Sequence, residues 1–113
     1  MEVALDRVES EILAESFKVL ADKTRLRILS LLRERELCVC ELTEVLEISQ
    51  PGVSQHLRRL KQVGFVRERK DGQWVYYALN KAQPLLALIL SLVPDNAEDK
   101  RRLAKAKGCA RGE

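Results

Sequence analysis

The chain has 113 residues, 46% of them hydrophobic and 33% charged, with a net charge of +3. That describes one folded domain with a core of its own, neither a disordered chain nor a membrane protein. A single His and three Cys give a hydrolase triad or a multi-histidine metal site almost nothing to be built from. The acids in MEVALDRVES and its lack of an apolar signal core point to the cytoplasm. The charge is unevenly spread. Residues 36–49 hold Glu36, Glu41, Glu44 and Glu47 and no base, whereas residues 50–81 hold seven bases against Glu68 and Asp71. A basic stretch beside an acidic one suggests an edge that takes a polyanion, the plain alternative being a solvated basic surface.

In chain order, residues 5–20 repeat Leu5, Val8, Ile12, Leu13, Phe17 and Leu20 at helical spacing. Asp22 offers an N-cap for a second helix over 24–35, built on Leu26, Ile28, Leu29 and Leu32. A short third helix is expected over 38–46, through Leu42, Val45 and Leu46. After the link 47–49, Ser49 is a good N-cap and Pro51 sits in a first turn, where a missing N–H does no harm. This fourth helix runs to about Val63, with Gly64 as its stop. The period then changes. Segments 65–70 (FVRERK) and 73–79 (QWVYYAL) are rich in β-branched and aromatic residues, and Asp71-Gly72 between them is a two-residue hairpin signal. Asn80 is expected to cap a last helix over 84–93, ended by Pro94. Its Leu85, Leu86, Leu88, Ile89, Leu90, Leu92 and Val93 are apolar almost all round, which predicts packing against a second copy of the chain. Residues 95–113 have little apolar face and are expected to form a basic tail, frayed or flexible.

The order is four helices, a hairpin and a helix, with a very short turn between helices three and four. This is a mostly α fold with a β-hairpin wing, a winged helix-turn-helix, in which residues 1–94 bind DNA and dimerise and 95–113 are the tail. On the fourth helix, Val53, Leu57 and Leu60 fall on one side at about 100° per residue. Gln55, Arg58 and Gln62 lie opposite, with Ser54 and Arg59 flanking, and Gln50 and Ser54 sit at the end that points into a groove. Arg, Gln and Ser are the side chains that read base edges of double-stranded DNA. Lys61 and the wing residues Arg67, Arg69 and Lys70 add charge for the phosphate backbone. His56 leans to the buried side and is expected to pack between helices or touch a phosphate. No nucleophile, base and orienting acid fall together, so no enzyme is expected.

Cys38 and Cys40 form a C-x-C within ELCVCEL. On a regular helix Cys38 would face the core with Leu42 and Val45, and Cys40 would face outward with Glu44 and Glu47, roughly 200° away. One thiophilic ion could then take both thiols only by unwinding the first turn, which would deform the helix that supports the DNA-reading helix. A structural disulfide is disfavoured in a reducing compartment, and a C-x-C at a helix start is awkward for one. The residues alone leave the ion site and two apolar-tolerant core residues equally open.

The segments LADKTRLRIL, ELCVCEL and SQPGVSQHLRRLKQVGFVRERKDGQWVYYAL resemble the ArsR/SmtB family of metal-sensing transcriptional repressors over most of residues 15–93. The resemblance implies a homodimer that binds a partly palindromic operator through its winged helix and releases it when metal binds, with the first and last helices as the dimer interface. ELCVCEL is similar to the arsenic-sensing and cadmium/lead-sensing branches. The third cysteine that arsenic sensors often carry is replaced by Thr43. Residues 1–37 hold no Cys of the cadmium/lead kind, and residues 80–93 hold no His, Asp or Glu of the zinc and nickel kind. Trivalent arsenic or antimony, taken as inducer by Cys38, Cys40 and Cys109, fits best. Thiolate softness supports a thiophilic ion, and the choice of arsenic rests on the resemblance. From Val93 the sixteen residues to Cys109 span about 20–24 Å as a coil, enough to reach either subunit. A cadmium/lead-responsive or dithiol redox repressor on the same fold, or a thiolate metal-buffering protein, are the alternatives. No organic cofactor and no membrane are expected.

Overall fold

The computed structural model describes residues 9–107. Helices α1 (Ser10–Leu20) and α2 (Lys23–Glu34) are followed by a short strand β1 (Leu37–Cys38). Then come α3 (Val39–Leu46), α4 (Gln50–Gln62), the hairpin β2 (Val66–Asp71) and β3 (Trp74–Leu79), α5 (Leu86–Leu92) and α6 (Ala97–Lys105). The mostly helical winged helix-turn-helix architecture is as the sequence predicts. Leu5 and Val8 of the expected first helix lie outside the described residues.

The helix starts obey local chemistry. Asp22 accepts from Arg25 N at 3.0 Å and Ser49 from Gly52 N at 3.1 Å, so two of the predicted caps form. Between α3 and α4 the chain reverses through Glu47, which adopts a left-handed conformation (φ 59°, ψ 39°) and returns its N–H to Thr43 O at 2.9 Å. One core joins the elements. Ile28, Leu29 and Leu32 of α2, Leu42 and Val45 of α3, and Val53, Leu57 and Leu60 of α4 share it with Phe65, Val66 and Tyr77.

Four local features differ from the sequence reading. Leu37 and Cys38 belong to β1, which pairs antiparallel with Tyr77 and Tyr76 and makes the sheet three-stranded in the order β1-β3-β2. Two buried residues carry no alternating pattern, so periodicity does not show them. The hairpin register places Asp71 opposite Trp74, and the loop is Gly72-Gln73, one residue later than expected. Gly72 there takes φ +62°, open to glycine at no steric cost. Asn80 does not cap α5. It donates to Gly64 O at 2.9 Å and accepts from Ala82 N at 3.2 Å, holding the corner after the wing, and α5 begins only at Leu86.

Finally, residues 97–105 are helical. Asn96 caps α6 by accepting from Asp99 N, and Asp99 accepts both Arg27 nitrogens at 2.9 and 2.8 Å. Leu103 is buried in the main core. The folded unit therefore extends past residue 94. The signal is a cap and one ion pair across 72 residues of sequence, which an apolar pattern cannot reveal.

Burial alone would raise the Asp22 carboxyl, but the Arg25 N–H and guanidinium outweigh it and hold the carboxyl below its ordinary value. A carboxyl lowered on folding stabilises the fold above its unfolded pKa, and that contribution is lost as pH falls through the folded one. Asp22→Asn keeps the cap oxygen and removes the charge. It should cost about 0.5 kcal/mol at pH 7, with the difference closing below about pH 3–4. Urea melts of both proteins across that range check it.

Candidate nucleic-acid interface and adjoining thiols

Val53, Leu57 and Leu60 are fully buried and fix the rotation of α4. Gln50, Gln55 and Arg58 are exposed, and Ser54 and Arg59 are half-buried. The structure splits this set. Gln50, Ser54, Arg58 and Lys61 line a groove of about 600 Å³ between α4 and the wing, completed by Gln73, Trp74 and Val75. Gln55 and Arg59 turn to the other side, where with Arg25 and His56 they border a smaller cleft, and Arg58 stands between the two and lines both. Gln73 is a groove residue that sequence reasoning misses, because the pattern puts it in the strand rather than in the loop at the wing tip.

Several of the basic residues already have acids. Arg59 reaches Glu15 of α1 at 3.4 Å. Lys61 is paired with Glu68 across the groove, and this hydrogen bond raises its ammonium and lowers the Glu68 carboxyl. Arg69 holds both oxygens of Glu36 at 2.9 and 2.8 Å, and its guanidinium lies 4.6 Å from the centre of the Tyr76 ring. Arg58, Arg67 and Lys70 are exposed and make no ion pair among the described residues. They are the cations most available to a polyanion. His56 packs α4 on α2. Its Nδ1 accepts from Arg25 Nη1 at 3.1 Å, since a guanidinium can only donate.

The thiols adjoin this surface. Cys38 and Cys40 both line the groove that Gln50, Ser54 and Arg58 line. Cys38 is not on the helix. It caps α3 in extended conformation (φ −85°, ψ 162°), with its N–H donated to Glu41 Oε1 at 2.9 Å. The expected separation of the thiols by roughly 200° applies to a regular helix and not to this junction, so α3 need not unwind for both to face one groove. Glu41 is buried and paired with Arg35 at 3.1 Å. Burial would raise its carboxyl, but the Cys38 N–H and the Arg35 guanidinium hold it low. Cys38 is buried and is not disulfide-bonded. Cys40, half-buried, is disulfide-bonded, contrary to the expectation that a disulfide is disfavoured. Cys109 lies outside the described residues. Among the described residues no three His, Cys, Asp or Glu gather as a metal site.

Residues 22–68 match the model of the family described as bacterial regulatory protein, arsR family. The chain is 48% identical over 96 residues to the arsenic resistance transcriptional regulator ArsR1 of Pseudomonas putida, covering 79% of this chain and 75% of that one. It is 50% identical over 72 residues to the arsenical resistance operon repressor of Escherichia coli, covering 63% and 62% of the two chains. The chain belongs to the arsR family of bacterial regulatory proteins. Among solved structures, a homodimeric winged helix-turn-helix DNA-binding domain from Mycobacterium bovis superposes with a TM-score of 0.67 at 27% identity, over 80% of this chain and 86% of that one. This ArsR-family chain is accordingly a transcription regulator and not an enzyme, and no helix among its described residues is long and apolar enough to cross a membrane.

The two kinds of basic residue should separate in binding assays. Arg58→Ala should cost roughly 1–3 kcal/mol of specific DNA affinity and relax sequence preference. Lys70→Ala should weaken all sequences alike and flatten the salt slope by about one unit. Fluorescence anisotropy on a selected and a scrambled duplex at several salt concentrations checks both.

Proposed function

We propose that this chain is an arsenite- or antimonite-responsive repressor of the cytoplasm that binds operator DNA as a homodimer and releases it when its thiolates take the ion. The observation that carries this is the placement of Cys38 and Cys40 in the same groove as Gln50, Ser54 and Arg58. A ligand held by the two sulfurs sits against the surface offered to DNA. Sulfur donors suit a soft, thiophilic ion, and the names of the arsenic regulators it is similar to favour arsenic among such ions. In this reading Gln50, Ser54, Gln55 and Arg58 read bases, while Arg59, Lys61, Arg67, Arg69 and Lys70 supply charge for phosphates. Cys109 is an auxiliary third ligand. Helix α6 takes up residues 97–105 of the stretch between Val93 and Cys109, so the expected sixteen-residue coil does not set its reach.

Cys38→Ser and Cys40→Ser should each keep DNA binding and lose release by arsenite, because serine fills the space without a thiolate. Cys109→Ser should weaken arsenite sensitivity without abolishing it, and arsenic X-ray absorption should fall from three sulfurs to two. Titrating a DNA complex of the reduced protein with arsenite, cadmium and zinc tests the choice of ion. A Cys38→Ser protein that still dissociates at the wild-type arsenite concentration would place the inducer elsewhere. The disulfide at Cys40 favours a second reading, release by oxidation. It is tested by a peroxide arm that a reductant reverses.

The dimer uses α1 and α5. Ile12, Phe17, Leu88 and Leu92 stand 52%, 55%, 55% and 71% exposed on these helices, the large apolar side chains that a second copy would cover. Phe17→Glu/Leu92→Glu should convert a dimer into a folded monomer and weaken operator binding, read by sedimentation and circular dichroism. A wild-type monomer at micromolar concentration would overturn this.

A further inference from the structure

The thiols do not pack into the main core. Cys38 and Tyr76 form a separate buried cluster, with Cys40 and Trp74 packed on it. The backbone makes the same connection, because Cys38 pairs with Tyr76 across β1 and β3. Side chains alternate along β3, so Trp74 and Tyr76 share one face of the wing. Arg69 lies over Tyr76 on that face, and Glu36, two residues before Cys38, holds its guanidinium. Thiols, wing aromatics and a wing arginine are one packed unit. The DNA-facing helix has no residue in this cluster and is anchored through Val53, Leu57 and Leu60 in the main core, to which the wing adds Val66 and Tyr77.

We infer that ligation at Cys38 and Cys40 is signalled to DNA through the wing, with Tyr76 and Trp74 as the positioning residues that carry the change into β2 and β3. The inference rests on the thiol site proposed above. A close-packed cluster has no spare room, so sulfurs that gain a ligand displace the side chains touching them. The displacement goes to the neighbours that touch the sulfurs, and these are Tyr76 and Trp74 of β3, with no residue of α4 among them. The hairpin keeps its own hold on the main core through Val66 and Tyr77, on the opposite face of the ribbon. Helix α4 is held by three fully buried residues and stays. Arg67 and Lys70, on either face of the hairpin, are therefore the first side chains to leave the DNA.

Trp74 is the chain's single tryptophan, so its emission reports the cluster directly. The experiment uses the full-length reduced protein, sodium arsenite, and a duplex selected for binding from a random pool. Mass spectrometry verifies that arsenite is bound. Arsenite should shift or quench Trp74 emission without DNA present, and Cys38→Ser should abolish that response. In Arg67→Ala/Lys70→Ala the wing no longer holds the DNA. The fold-loss of DNA affinity caused by arsenite should then shrink to roughly a third of the wild-type value or less, the non-additivity expected of coupled sites. Arsenite bound with unchanged Trp74 emission overturns the inference. So does an equal fold-loss in the double variant, which would route the signal through α4. Arsenite that does not bind the wild type at all defeats the reading of the thiols themselves, and this inference falls with it.

Discussion

The pairing of Leu37 and Cys38 with Tyr77 and Tyr76 gives the central strand β3 a neighbour on each side. Without it the wing would be held to the body by side-chain packing alone, through Val66 and Tyr77 in the main core. With it, the wing is joined to the body at the point where α3 begins. The same two residues therefore end a strand, start a helix and carry a thiol. Cys38 has extended backbone because the strand requires it, and its N–H goes to Glu41 because the helix start leaves it no carbonyl. The thiol proposed to take the ion sits on a junction whose geometry is fixed from both directions.

Charge on the DNA side is less free than composition suggests. Residues 50–81 carry seven bases, yet Arg59, Lys61 and Arg69 are each matched to Glu15, Glu68 and Glu36. Exposed pairs of this kind contribute little to stability, about 0–1 kcal/mol each, so a phosphate can compete for the cation. Their effect is on direction. Glu36 holds the Arg69 guanidinium over the Tyr76 ring, and Glu68 draws Lys61 across the groove. The acidic stretch 36–49 reads as a contrast to the basic one in sequence, and in the fold its first residue partners a wing arginine. The boundary between the two charge blocks is an ion-paired seam as well as an electrostatic edge.

What can be read from the sequence follows from the range of the forces involved. Asp22, Ser49 and Pro51 act within one helical turn, so they mark the starts of α2 and α4 reliably. Val53, Leu57 and Leu60 share a face by geometry alone, which places Gln50, Ser54 and Arg58 on the open side. Strand β1 is not legible, because two residues are too few for a period and the partner lies 38 or more residues away. Helix α6 is not legible because Asp99, an acid in a charged run, is buried by Arg27 across 72 residues. The sequence pattern puts Cys38 on a helix for the same reason, and the consequence, two thiols turned apart, disappears once the residue belongs to a strand. Arg69 shows the limit at the site. Its charge is visible, but its partner Glu36 is 33 residues upstream.

Helix α3 has eight residues, too short to persist on its own. It is held by its ends. At the N-terminal end, β1 pairing and the Glu41–Arg35 contact fix Cys38. At the C-terminal end, Arg102 of α6 donates to Val45 O at 3.2 Å and approaches Glu47 at 3.5 Å, so the left-handed turn into α4 is gripped from outside the helix pair. Arg27 and Asp99 in turn fasten α6 to α2. A change at the thiols thus meets a helix whose far end is clamped. It cannot travel along α3 as a rigid shift without breaking the Arg102 contacts, whereas sideways into the sheet it meets Tyr76 and Trp74 of the hairpin. The clamp at the far end is what directs the motion of the near end.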